Sequence, residues 1–176
     1  MRGDSRGVSP VIGTIIMVSV VVILASLVSV FVFDLGPGGQ PPAPQISVSH
    51  ELVDDGSGTG DQSIAVTLES GESVATDQLY VGGSKDLDIG GAPGSGDEAA
   101  KERFASSLET FTESSDGSPQ VAIGDTWDSG ETIYLDPVGD AEGVTVRIYW
   151  NTEPVEGVNP GTVKGEDSYK IAEFTV

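Results

Sequence analysis

The sequence predicts one long hydrophobic helix followed by a mainly-β head, and three observations carry that expectation. An uninterrupted apolar run occupies Val11 to Phe33. A Gly/Pro-rich stretch, GPGGQPPAP, follows at residues 36–44. Beyond residue 45 the chain breaks into short segments of alternating polarity separated by Gly, Ser and Asp. At 176 residues the chain has room for one domain and an appendage, but not for two full domains.

The apolar run, VIGTIIMVSVVVILASLVSVFVF, is 23 residues without a charged side chain. At about 1.5 Å per residue a helix of that length covers a hydrocarbon core of roughly 30 Å. It is longer than the hydrophobic region of an ordinary secretory signal. It also lacks the polar face that a soluble surface helix would show. Ser9 is placed to cap the helix and Pro10 to occupy its first turn. Asp34 and the glycines from Gly36 onward stop it. Arg2 and Arg6 precede the span and Asp34 follows it. That bias holds the N-terminus in the cytoplasm and sends the head outside. Gly13, Thr14, Ser19, Ser26 and Ser29 are the small residues within the span that let neighbouring helices approach closely.

The string Arg6-Gly7-Val8-Ser9-Pro10-Val11-Ile12-Gly13, running directly into the apolar span, resembles the class III signal peptide of archaeal type IV pilins, and most of all that of the haloarchaeal members. The likeness covers about Arg6 to Leu35. It implies that a prepilin peptidase cuts between Gly7 and Val8, so that residues 1–7 form a leader and residues 8–35 a membrane helix that later packs in a filament core. It further implies an assembly ATPase and a membrane platform protein as partners, with the chain's main partner being other copies of itself. The fifth mature position would be Ile12, where bacterial pilins carry Glu. Elementary energetics agree with such a route. The span holds seventeen large apolar side chains, whose exposure to water would cost on the order of 30 kcal/mol. A helix leaving the bilayer must therefore pass into an equally apolar bundle.

Residues 36–44 form the linker and residues 45–176 the head. In the head, Ile46, Val48, His50 and Leu52 alternate with polar positions, as do Ile64, Val66 and Leu68. A short strand at Gln78-Leu79-Tyr80-Val81 and another at Ile133-Tyr134-Leu135 follow. The clearest strand places Val144, Val146, Ile148 and Trp150 on one face, and the C-terminus places Ala172, Phe174 and Val176 together. Several short strands with turns between them predict a small immunoglobulin-like sandwich. One short helix is expected from Asp97 to Phe111, because Ala100, Phe104, Leu108 and Phe111 follow helical spacing. Segments such as TLESGESVATDQLYV and KIAEFTV also resemble pilin heads.

Charge and composition exclude several functions. With 28 Asp and Glu against 8 Lys and Arg, the formal charge of −20 repels nucleic acid. The acids are scattered over the head, which fits either a solubility device or life in high salt. Absence of cysteine removes disulfides and thiolate metal sites. The one histidine, His50, falls on the inward face of a strand and reads as a partly buried structural residue. No serine sits in a nucleophile elbow, so no catalytic residue and no cofactor site is expected. Gly82-Gly83-Ser84-Lys85 and the stretch 91–98 lack phosphate-loop spacing and read as loops. The acidic run from Asp54 to Asp61 reads as an exposed hairpin loop because EF-hand spacing fails, with Asp86 and Asp88 weaker still, so no metal site is expected. Asn151 and Asn159 both fail the N-glycosylation rule.

These readings converge on a structural, non-enzymatic subunit: membrane-bound as a precursor, then displayed on a surface pilus, with the acidic head serving adhesion to a receptor that the sequence does not identify. The alternative is a single-pass anchored binding domain that keeps residues 1–7 and never assembles.

Overall fold

The computed structural model describes residues 8–34, 41–55, 61–99, 104–112, 114–115, 118–119, 121–155 and 168–176, and the α1 side chains from Val11 to Val30. The chain divides into two compact units, Met1–Pro41 and Pro42–Val176. The first contains α1 (Val8–Asp34). Its side chains from Val11 to Val28 are exposed on every side, because the helix is apolar all round and has no face that a soluble core would select.

The second unit is built from strands β1 (Ile46–Asp54), β2 (Gln62–Gly71), β3 (Val74–Ala75), β4 (Leu79–Gly90), β5 (Ser106–Thr110), β6 (Ser114–Ser115), β7 (Ser118–Pro119), β8 (Thr126–Trp127), β9 (Thr132–Pro137), β10 (Thr145–Asn151) and β11 (Ser168–Thr175), with a 3-10 turn at Thr76–Gln78. Seven of these strands form one antiparallel sheet in the order β1-β2-β9-β4-β10-β11, with β5 added beside β4. β3 pairs with β8 and β6 with β7 in two small ladders.

The sandwich expected from the strand pattern takes the form of one curled sheet, and β4 makes the corner. Its first part, Leu79 to Gly83, pairs with β10. Its second part, Leu87 to Gly90, pairs with β9. Between them Ser84, Lys85 and Asp86 are exposed, while Leu79 to Gly82 and Leu87 to Gly90 are buried. A strand that changes partners at a bend is a standard way to fold one sheet over itself. The corner depends on missing side chains. A Cβ on Gly83 would lie 2.5 Å from the Lys85 carbonyl oxygen, and one on Gly82 would lie 2.8 Å from Leu108 Cδ2.

Apolar alternation builds the core as the sequence pattern requires. Ile64, Val66 and Leu68 of β2 are fully buried, as are Ile133 and Leu135 of β9 and Val146 and Ile148 of β10. Trp127 is also fully buried, with its ring 5.4 Å from that of Phe111 and its Nε1 donating to the Glu131 carbonyl at 3.2 Å. The β3–β8 ladder pairs Val74 with Trp127 and so holds that ring in place.

Two local expectations are corrected. The segment read as a helix over 97–111 contains β5 at Ser106–Thr110, and residues 91–99 are turns with a single bridge between Gly91 and Glu98. Residues 100–103 lie outside the described residues. Helical spacing of Phe104, Leu108 and Phe111 is overridden because β4 offers an open edge, against which Leu108 pairs with Gly82. The second correction concerns Gly82-Gly83-Ser84-Lys85, which is strand and bend within β4, not a free loop.

Gly90, at the end of β4, packs closely against the backbone of Glu98 and Ala99. A Cβ there would lie 2.4 Å from the Ala99 backbone nitrogen. Gly90→Ala is therefore expected to cost about 1–3 kcal/mol by overpacking. Thermal unfolding of the full chain in detergent checks this. Ala99→Gly should give no rescue, because the obstruction is backbone.

Candidate functional site

The residues that carry function on this reading lie in α1 and at the residues before it. α1 begins at Val8, so Ser9 and Pro10 stand inside the first turn and Ser9 is not the residue preceding the helix. Pro10 is tolerated there because the first four N–H groups of a helix have no internal partner. Arg6 and Gly7 lie outside the described residues.

Hydroxyls in an apolar span need acceptors, and α1 supplies them itself. Thr14 Oγ1 donates to the Val11 carbonyl at 2.9 Å, Ser19 Oγ to Ile15 at 2.8 Å and Ser26 Oγ to Val22 at 2.7 Å. Each hydroxyl is thereby satisfied within the helix and adds little cost in a medium without water. Projected at about 100° per residue, Thr14, Ser19, Ala25, Ser26 and Ser29 fall within an arc of about 140°. Ile16, Met17, Val20, Leu24 and Leu27 occupy the opposite side. Gly13 lies on that bulky side, with nothing within 4 Å of where its Cβ would stand. Val11, Ile15, Val18 and Val22 fall within the same arc as the hydroxyls, so α1 stays apolar on every face. Val11–Val30 is long and apolar enough to cross a membrane.

The head's candidate residues distribute differently. His50 is exposed, not partly buried as its alternation implied. It stands at the edge of the sheet on β1, where its ring stacks on Phe174 of β11 at 4.3 Å and 10°. At the two ends of the acidic run, Asp54 pairs with Gln62 across the β1–β2 ladder, and Asp55, which is buried and not exposed as expected, donates its N–H to the Asp61 carbonyl at 3.2 Å. Residues 56–60 between them lie outside the described residues. Asp86 is exposed at the β4 bend. Asp88 is buried and stands opposite Asp136 in the β4–β9 register, a placement that its strand-and-turn surroundings in sequence did not reveal. Glu109 is buried as well and accepts from Ser106 Oγ at 2.7 Å. Among the described residues, no group of three or more His, Asp or Glu is arranged to hold a metal ion.

Two carboxylates on the surface are held below the usual range. Hydrogen bonds from Ser73 and then Thr126 lower Asp128, anchoring the turn before β9. A hydrogen bond from Lys170, with Arg147 also close, lowers Glu173 on β11. Both are structural arrangements on the surface of the sheet.

A shallow cleft of about 180 Å³ is lined by Pro42, Pro44, Glu72, Val74, Gln78 and Trp150, among others. Trp150 Nε1 donates to Gln78 Oε1 at 3.2 Å, and Gln78 Nε2 donates to the Thr152 carbonyl at 3.1 Å. The polar groups at its base are thus engaged with one another.

Comparison with known proteins places the assignment at the N-terminus. Residues 6–48 match the family model described as archaeal type IV pilin, N-terminal. An uncharacterised protein of Archaeoglobus fulgidus is 47% identical over 47 residues, covering 26% of this chain and 33% of that protein. The matched stretch thus spans about a third of that relative's length.

Proposed function

From the premise that residues 6–48 form an archaeal type IV pilin N-terminal domain, we propose that this chain is a structural, non-catalytic subunit of an archaeal type IV pilus. The observation that carries the reading is α1 itself, a helix apolar on every face and placed within the matched segment. Such a helix is stable in two settings, a bilayer and a bundle of its own copies. The first holds the precursor, and the second is the core of a filament.

Residues 1–7 act as the leader, with the cut between Gly7 and Val8. Residues 8–35 form the core helix, residues 36–44 the linker and residues 45–176 the head. Arg2 and Arg6 anchor the uncut chain, because moving one arginine to the bilayer centre costs at least ~2.5–3.5 kcal/mol. Cleavage removes both. Ser9, Pro10, Gly13, Ser19 and Ser26 shape the start and the packing surfaces of the helix. A prepilin peptidase, an assembly ATPase and a platform protein handle the chain on this route, and the exposed head mediates adhesion.

Replacing Gly7 with Phe tests the route. Processing is expected to stop, with the protein held in the membrane fraction and filaments lost from the sheared surface fraction. Normal filaments carrying the unaltered mature N-terminus would count against the cut site.

The head's charge supports adaptation to concentrated salt. All but two of the acids, Asp4 and Asp34, lie in the head, against six of the bases. Raising salt from 0.1 to 1 M shortens the screening length from about 10 Å to about 3 Å and removes most of that self-repulsion. The unfolding midpoint should therefore rise with salt over this range. A flat or falling midpoint would remove the halophilic reading.

A further inference from the structure

The end of the Gly/Pro stretch is fastened to the head. Ala43 is half-buried and packs against the head's core, as does Ile46 at the start of β1. Pro42 and Pro44 line the shallow cleft together with Glu72, Val74 and Trp150. Two hydrogen bonds tie the segment down. Gln45 donates its backbone N–H to Glu72 Oε2 at 3.3 Å, and the Glu72 N–H donates to the Gln45 carbonyl at 3.4 Å. Gln45 Nε2 also donates to the Ala43 carbonyl at 3.4 Å, within the segment itself.

Two residues at the end of β2 make the attachment possible. Gly71 has a φ of +136° and stands opposite Ile46 in the β1–β2 register. A Cβ there would lie 2.5 Å from the Gln45 carbonyl oxygen and 2.8 Å from Ile46 Cα, so a side chain would push the segment away. Glu72 follows it and supplies the carboxylate. The prolines lower the cost of ordering the segment. Their φ is already fixed in the unattached chain, and neither carries an N–H that needs a partner. Glycine stands at 36, 38 and 39, all before the fastened residues.

We infer that Pro42–Gln45 is a strap, clamped by Gly71 and Glu72, that confines turning between α1 and the head to the residues before Pro42. A pull along the chain from α1 then reaches the clamp before it reaches the β1–β2 ladder. The strap also covers apolar surface. Val74 and Trp150 are buried beside it, and lifting it would uncover them on the cleft side. The head thereby has a first step that yields without unfolding, in which the strap opens while β1 stays paired. Pro42 begins the same compact unit as the sheet, so the device holds for a filament subunit and for an anchored domain alike.

The chain has no cysteine, so a single introduced thiol reports on the strap. Pro41→Cys and Ala43→Cys are made separately in the full chain, dispersed in detergent at high salt. Reaction with a maleimide is expected to be about tenfold slower at position 43 than at the exposed position 41. Adding Glu72→Ala, which removes one hydrogen bond, should speed the reaction of Ala43→Cys about fivefold and leave that of Pro41→Cys unchanged. Gly71→Ala should act in the same direction by displacing the Gln45 carbonyl. If Gly71→Ala lowers the unfolding midpoint of the head, Glu72→Ala still gives the reading, because Glu72 is exposed. Position 43 as reactive as position 41, or protection that neither Glu72→Ala nor Gly71→Ala reduces, overturns the strap. Either result leaves the pilus reading intact.

Discussion

Trp127→Ala is expected to unfold the head at temperatures where the unaltered chain is folded. Trp127 is fully buried, packs against Phe111 and donates to the Glu131 carbonyl. Truncating a buried aromatic of this kind costs about 3–5 kcal/mol. Whole domains are stable by only about 5–15 kcal/mol, so the loss is a large fraction of the total. It corresponds to a fall in midpoint on the order of 10–20 °C for a head of this size. Thermal unfolding in detergent at high salt, followed by tryptophan fluorescence and circular dichroism, measures it. A shift of only a degree or two would mean that Trp127 is not the centre of this core.

Val22→Lys in α1 should abolish filaments while leaving the head folded. Val22 lies midway along the apolar run, and its carbonyl accepts the Ser26 hydroxyl. A lysine at the middle of a membrane helix costs about 2.5–3.5 kcal/mol. In a bundle of identical helices every copy would bury the same positive charge, so no neighbour could neutralise it. The expected result is loss of the protein from the sheared surface fraction, with the head's unfolding midpoint unchanged. Filaments of normal abundance would show that this part of α1 is not buried between copies.

How much of this was legible in the sequence follows from what each signal depends on. α1 was readable because it needs no tertiary context. An uncharged apolar run of that length specifies its own structure and its own solvent. The alternation at Val144, Val146, Ile148 and Trp150 was readable for a similar reason: β10 lies between two strands with one face on the core, so period two survives intact. β4 was hidden. Gly82, Gly83, Ser84 and Lys85 look like a turn taken alone, and only pairing with β10 on one side of the bend and β9 on the other makes them strand and corner. Helical spacing around Leu108 misled for the same reason, since the edge of β4 that captures β5 comes from residues more than twenty positions away.

The site was legible in its identity more than in its geometry. Arg6-Gly7-Val8 and the apolar run pointed to a pilin N-terminus, and the family match covers those residues. Composition alone could not show that the hydroxyls of Thr14, Ser19 and Ser26 bond within their own helix, because that depends on side-chain torsions. Nor could it show the exposure of His50. Its alternation with Val48 and Leu52 placed it on the inner side of β1, but the position of β1 at the sheet edge leaves the ring lying on Phe174 with solvent beyond.

The central claim is that the chain loses residues 1–7 and is assembled at the surface. Mass spectrometry of the N-terminal peptide, taken from protein sheared off the cell surface, tests it most directly. The account predicts a mature chain beginning at Val8, recovered with filaments. An intact chain still carrying Met1 to Gly7, found only in membranes, would contradict it and make the protein an anchored surface domain.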